Sequence, residues 1–138
     1  MSELLAVEQL QVWVAGRSTP LLGPLDLQIA NNDCLGLIGE SGSGKSLTAL
    51  ALMGLLPAGL RATGHLRFEG NPVTLLSPGH LALRGRAMAW MPQDSQASLH
   101  PLRSVGAQLI ESLRALRGLS QHAAAAESLR LFQELELP

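Results

Sequence analysis

The sequence predicts an α/β fold, and three observations carry that expectation. Apolar residues alternate with period two near the N-terminus, a short and continuously apolar run leads into a glycine-rich loop, and the C-terminal third repeats its apolar residues at helical spacing. With 138 residues, 46% of them hydrophobic and 15% charged, the chain is expected to be mostly folded, as one globular unit with its own core and no room for two full domains.

Each element follows from a local pattern. Leu10, Val12 and Val14 alternate, and Leu25, Leu27 and Ile29 alternate again after Gly23-Pro24, which predicts an antiparallel pair of half-buried strands. Asn31-Asn32-Asp33 reads as a turn, and Cys34-Leu35-Gly36-Leu37-Ile38 as a strand buried on both faces, with Cys34 a small core residue. From Lys45 to Leu56 helix formers dominate until Pro57 and Gly59, so a helix apolar nearly all round is expected to lie against a sheet. Leu66 and Phe68 alternate with Arg67 and Glu69 before a turn at Gly70-Asn71-Pro72, and the run from Ala87 to Met91 is apolar, which predicts two more strands. After Pro101, Ser104 is placed to cap a helix whose Val105, Leu109, Leu113 and Leu116 share a face and which Gly118 closes. Ser120 caps a second helix running through Leu129, Phe132 and Leu135, with the alanine run from Ala123 to Ala126 favouring it.

Composition excludes several functions. Ten Lys plus Arg against eleven Asp plus Glu leave a net charge of −1, too weak a field to hold a nucleic-acid backbone by counterion release. Trp13, Trp90, Phe68 and Phe132 are too few and too scattered for a base-stacking platform. The single cysteine forms no intrachain disulfide or thiolate cluster, and Glu3 and Glu8 stand where a signal peptide carries Lys or Arg, so a cytosolic protein is expected. The longest apolar stretch, Leu47 to Leu56, falls short of the roughly 20 residues that cross a bilayer. The histidines His65, His80, His100 and His122 lack metal-ligand spacing and read as surface or loop residues, and Glu134 and Glu136 as solvated charges.

Nine of the ten basic residues are arginines, and the one lysine, Lys45, sits in Gly39-Glu40-Ser41-Gly42-Ser43-Gly44-Lys45-Ser46. That segment satisfies the phosphate-binding pattern G-x-x-x-x-G-K-[ST] between an expected buried strand and an expected helix, which is the context the pattern requires. Gly42 and Gly44 let the backbone curl so that successive N–H groups point at phosphate oxygens, with the positive end of the helix dipole behind them. Lys45 supplies a compact ammonium for the β- and γ-phosphates, where a guanidinium is too broad, and the Ser46 hydroxyl is a ligand for Mg²⁺. The second segment, Met88-Ala89-Trp90-Met91-Pro92-Gln93-Asp94, ends an expected strand in a glutamine. Beside a phosphate loop, the amide of Gln93 is expected to reach the γ-phosphate, Mg²⁺ and the attacking water.

The loop GESGSGKS, the strand ending MPQD, and SLHP followed by an amphipathic helical pair resemble the N-terminal part of an ABC transporter ATP-binding subunit, over essentially the whole chain. Leu55-Leu56-Pro57, Leu83-Arg84-Gly85, and Gln93-Asp94 with Ser98-Leu99-His100-Pro101 resemble the peptide/nickel importer branch, which includes oligopeptide, dipeptide and glutathione importers. The resemblance implies a P-loop NTPase core with an N-terminal antiparallel β portion and the start of the helical subdomain. On this reading residues 1–138 are a single incomplete ATP-binding domain, with the β portion and core in 1–100 and the helical subdomain from 101. It implies that ATP and Mg²⁺ bind at Gly39 to Ser46, with Gln93 in a Q-loop as a second Mg²⁺ ligand. The implied partners are membrane-spanning permease subunits, a second ATP-binding subunit in a homo- or heterodimer and, indirectly, a periplasmic or extracellular solute-binding protein. The implied place is the cytoplasmic side of the inner membrane.

Departures accompany the resemblance. Relatives commonly carry Asp-Pro and Asn-Pro where this chain has Asp94-Ser95 and His100-Pro101. The adenine-stacking aromatic falls near Val14, where the adjacent Trp13 is either a shifted stacking ring or an ordinary packing residue. The signature LSGGQ, the Asp-Glu that ends the Walker B strand and the switch histidine are not found, so the chain alone is expected to be inactive, a truncated piece of an ATPase that powers uptake of peptides or nickel. The alternative is a nucleotide-binding fragment or regulatory module without turnover. A kinase or GTPase reading is weaker, because a chain with one lysine has no base-reading N-K-x-D.

Overall fold

The computed structural model describes residues 2–94 and 98–137, so Ser95 of the Asp94-Ser95 pair lies outside the described residues. The chain divides into two compact units, Met1–Ala89 and Trp90–Pro138.

The first unit is built on a four-stranded antiparallel sheet. Its strands β1 (Glu3–Val14), β2 (Leu22–Ala30), β3 (Leu60–Phe68) and β4 (Asn71–Val73) lie in the order β2-β1-β3-β4. The expected pairing of β1 with β2 is present, as Val7 opposite Leu27 and Leu10 opposite Leu25. β3 adds to the other edge of β1, with Val12 opposite Ala62. The turn expected at Gly70-Asn71-Pro72 begins one residue earlier: Glu69 and Gly70 take φ of 49° and 74°, and Phe68 pairs with Asn71. Two consecutive positive φ values make a two-residue hairpin turn whose twist matches that of the strands. Where the β1 ladders shift register, Gln9 adopts φ 53° and its N–H donates to Asp26 Oδ1 at 2.6 Å, so the bulge leaves that donor satisfied.

Leu10 and Val12 are fully buried, and with Leu5, Val7 and Leu66 they form the core against which α1 (Lys45–Leu52) seats Ala51, Leu47 and Leu52. Full burial of each such side chain contributes about 1.5–3 kcal/mol. The expectation that this helix lies against a sheet holds, but it ends at Leu52 and not at Leu56. Gly54, at φ 64°, donates to Ala51 O while Leu55 N–H reaches Leu50 O, the paired bonds of a left-handed helix stop.

Two expected strands are absent. Cys34 to Ile38 has no regular structure and is exposed, with Ile38 wholly so, which also corrects the placement of Cys34 in the core. Within 87–91 only Met88 pairs, in a single-residue bridge to Arg84, and Met91 is 90% exposed. A strand exists only as a partner of another strand, and among the described residues neither segment finds one.

A short helix that local patterning did not suggest, α2 (Pro78–Ala82), starts at Ser77, whose Oγ accepts from His80 N–H. His80 is 1% exposed, which corrects its reading as a surface residue. Its Nδ1 accepts from Leu76 N–H at 3.0 Å, so the ring proton sits on Nε2 and is donated to Leu52 O at 2.7 Å. His65, His100 and His122 are exposed as expected.

The second unit contains α3 (Val105–Arg117) and α4 (Gln121–Glu134), the helical pair read from the sequence. Ser104 accepts from Ala107 N–H, Ser120 accepts from Ala123 N–H, and Gly118 closes α3 at φ 67°. Leu113, Ala124 and Ser128 are buried. Arg117 at the end of α3 pairs with Glu127 on α4 at 3.2 Å, and Arg130 binds both Glu127 and Glu134. Among the described residues no helix is long and apolar enough to cross a membrane.

Two predictions follow from these contacts. His80→Ala removes one acceptor and one donor from a buried site, and urea unfolding followed by circular dichroism should show a loss of about 2–4 kcal/mol for the first unit; an unchanged midpoint would refute the role given to the ring. In the second unit, the hydrogen bond from Arg130 holds the Glu127 carboxyl at about 2, against an ordinary value of 4.5. A depressed carboxyl stabilises the fold above pH 4.5 and loses that contribution as pH falls towards 2. Arg130→Ala should therefore raise the Glu127 titration midpoint, read by carboxyl NMR, and flatten the pH dependence of stability across that window.

Candidate nucleotide site

The segment from Gly39 to Ser46 closes on itself through its lysine. Lys45 Nζ donates to Gly39 O and Glu40 O, each at 2.7 Å, and to Ser43 Oγ at 3.2 Å, so all three ammonium protons have acceptors from the loop. Gly42 and Gly44 take φ of 84° and 94°, the left-handed curl that glycine permits without strain. A Cβ at Gly39 would lie 2.7 Å from Ser43 Oγ, and one at Gly44 2.5 Å from Leu22 Cδ1, so a side chain at either position displaces the end of a neighbouring side chain. Ser43 N–H is spent on Glu40 O at 3.2 Å, which tightens the turn.

The loop runs directly into α1, whose N-cap is Gly44. No side chain caps this end, unlike α2, α3 and α4, each of which has one N–H of its first turn bonded to the hydroxyl of Ser77, Ser104 or Ser120. The first intrahelical bond is Thr48 N–H to Gly44 O at 2.8 Å. The free donors ahead of it, together with the helix dipole and the Lys45 charge, make a positive terminus suited to an anion. Beside it lies a hollow of about 400 Å³, lined by Leu22, Leu25, Leu37, Ser43, Lys45 and Thr48. A larger hollow, about 650 Å³, lies along β3 and β4 and shares no lining residue with the loop.

Of the residues singled out from the sequence, Gly39, Glu40, Ser41, Gly42, Ser43, Gly44, Lys45 and Ser46 therefore come together in one loop and helix start, with Ser46 exposed. Trp13 lies in the same unit but is engaged by β3: its Nε1–H donates to Thr63 Oγ1 at 3.1 Å, and the Arg61 guanidinium stands 5.5 Å from the ring centroid. Gln93 belongs to the second unit and is exposed in an irregular segment. Among the described residues no group of three His, Cys, Asp or Glu could hold a metal ion.

Sequence reasoning missed two supports of the loop. Thr48 is 2% exposed, and its hydroxyl returns to Gly44 O at 3.0 Å, fixing the carbonyl that starts the helix. A threonine four residues after a helix-starting glycine signals such a back-bond. Leu22, which presses on Gly44 from β2, left no local signal because the contact spans the fold.

The family described as ABC transporter matches residues 22–137. The oligopeptide transport ATP-binding protein OppD of Salmonella typhimurium is 37% identical over 138 residues, an alignment that covers 98% of this chain and 41% of that protein. The dipeptide transport ATP-binding protein DppD of Haemophilus influenzae is 35% identical over 98% of this chain and 42% of its own length. The metal-staphylopine import system ATP-binding protein CntD of Staphylococcus aureus is 33% identical over 85% of this chain and 44% of its own length. The chain thus spans about two fifths of the length of these relatives.

Gly44→Ala tests the loop geometry. At φ 94° an alanine costs about 1–2 kcal/mol in backbone strain, in addition to its clash with Leu22. Thermal unfolding should show a lowered Tm, and adding Leu22→Ala should recover no part of the backbone cost, leaving the double variant below Leu22→Ala alone.

Proposed function

The chain belongs to the ABC transporter family of ATP-binding domains, and on that premise we propose that Gly39 to Ser46 bind the phosphates of ATP as part of an importer's ATP-binding subunit. The observation that carries the proposal is the uncapped N-terminus of α1 behind a loop that holds the ammonium of Lys45 at its centre. Backbone donors and one fixed positive charge suit a polyphosphate, and the adjoining hollow of about 400 Å³ is open to a ligand. Lys45 acts by exchanging an acceptor of its own loop for a phosphate oxygen, at little cost in solvation because the ammonium stays hydrogen-bonded throughout.

The donor set also fits Mg²⁺. Ser46 presents a hard oxygen on the first turn of α1, suited to an ion that keeps its waters and shares phosphate oxygens. Bound there, the ion supplies charge neutralisation of the phosphates. We assign Gln93 as a second oxygen donor, on its place after Pro92 in the sequence, and Trp13 as the ring nearest the adenine, a base stacking on the face opposite Arg61.

The relatives named for oligopeptide and dipeptide transport support peptides as the cargo, and the metal-staphylopine relative supports a metal complex as the second cargo class. The proposed assembly pairs this ATP-binding part with a second one and with membrane-spanning permease subunits at the cytoplasmic face of the inner membrane, served by a solute-binding protein. The sequence carries no LSGGQ and no Asp-Glu pair, so the 138 residues are proposed to bind without turnover.

Titration calorimetry of the purified chain with Mg²⁺-ATP tests this, with Lys45→Ala and an ATPase assay on the same samples. Binding should weaken at least about tenfold in the variant, as for loss of a charge-assisted contact, with no phosphate release from either protein. Equal affinity in both would sink the assignment of the loop, and phosphate release by the wild type would sink the assignment of turnover to residues elsewhere.

A further inference from the structure

The segment leading into α3 is held by two side chains that the nucleotide site does not use. Gln108, in the first turns of α3, reaches back to it three times: Oε1 accepts from His100 N–H at 2.9 Å, and Nε2 donates to His100 O at 3.3 Å and to Arg103 O at 3.1 Å. His100 itself accepts, at Nδ1, the N–H of Leu102 at 3.2 Å, across Pro101. A side-chain acceptor bonded to the N–H two residues on is the bond that Asn and Asp make when they close a turn on their own backbone. Pro101 donates no hydrogen bond, so Leu102 carries the first free N–H of the turn, and the ring nitrogen takes it.

We propose that His100 is a positioning residue: its imidazole, in the Nε2–H tautomer, closes the turn that delivers the chain to Ser104 and α3, in the manner of an asparagine side chain. One consequence separates this from a passive surface histidine: asparagine should replace His100 without loss, because its Oδ1 offers an acceptor at the same remove from the backbone.

The test is hydrogen exchange at the Leu102 amide in the ¹⁵N-labelled chain, each rate referred to the unstructured rate at the same pH, with the Leu113 amide reporting that α3 is intact. At pH 7.5 Leu102 should exchange on the order of five- to tenfold more slowly than the reference in the wild type and in His100→Asn, and at the reference rate in His100→Ala. Protection that survives His100→Ala, or that His100→Asn loses with Leu113 unchanged, overturns the proposal. If His100→Ala also unfolds α3, His100→Asn and His100→Leu, compared with Leu113 unchanged, decide: equal Leu102 protection in the two overturns it. Any influence of this turn on transport rests on the importer reading above. Its failure shows in calorimetry with Mg²⁺-ATP, and the turn's failure shows in amide exchange.

Discussion

Leu10 and Val12 retain no exposed surface, and the strand that carries them is hydrogen-bonded along both edges, so only a cover over its face can keep them from water. Ala51, Leu47 and Leu52 of α1 supply that cover. An eight-residue helix is too short to persist by its own backbone bonds, so α1 exists because this face needs it. The start of α1 is then fixed by the sheet, and the loop from Gly39 to Gly44 has to close at that point. Leu22 on β2 presses against Gly44, and Thr48 returns its hydroxyl to the Gly44 carbonyl. The candidate site is thus placed by packing behind it, while Gly42 and Gly44 are required by their positive φ.

The loop's chemistry follows from which donors are left free. Three helices begin with a serine whose hydroxyl occupies one N–H of the first turn, and α1 begins with a glycine that occupies none. The ammonium of Lys45, by contrast, is fully engaged with Gly39 O, Glu40 O and Ser43 Oγ. Open donors and a satisfied cation form a stable arrangement without an anion, and one that an anion can enter by exchanging a single acceptor. An arginine could not take this place, because its planar fork does not converge on three acceptors around a point.

What was legible in the sequence is what depends on near neighbours. Ser104, Ser120 and Gly118 mark the ends of α3 and α4, the period-two residues mark β1 to β3, and the glycines and lysine of the loop before α1 lie within eight consecutive positions. The fold class and the family were readable on those grounds. The misses share one cause. Cys34 to Ile38 and Ala87 to Met91 have the composition of doubly buried strands, but composition states a capacity for pairing, and parallel partners are remote in sequence by construction. His80 was read as a surface residue because nothing around it is periodic, whereas its burial depends on Leu52, 28 positions away. Trp13 kept two readings because a strand tryptophan has two faces, and β3 answers for only one of them through Arg61.

His80 also completes the account of α1. The N-terminus of this helix is left open, but its C-terminus is not: Gly54 and Leu55 take the carbonyls of Ala51 and Leu50, and the imidazole proton takes that of Leu52. The same ring accepts from Leu76, in the segment that follows β4, and its backbone N–H is held by Ser77. One side chain therefore ties the far end of the loop's helix to the outer edge of the sheet. Because unsatisfied carbonyls at a buried helix end would favour fraying from that end, and an eight-residue helix has few bonds to lose, the order at Gly44 depends on the bond at Leu52. The N-terminal end of α1 can remain unsatisfied in the free protein because the other end is fully satisfied.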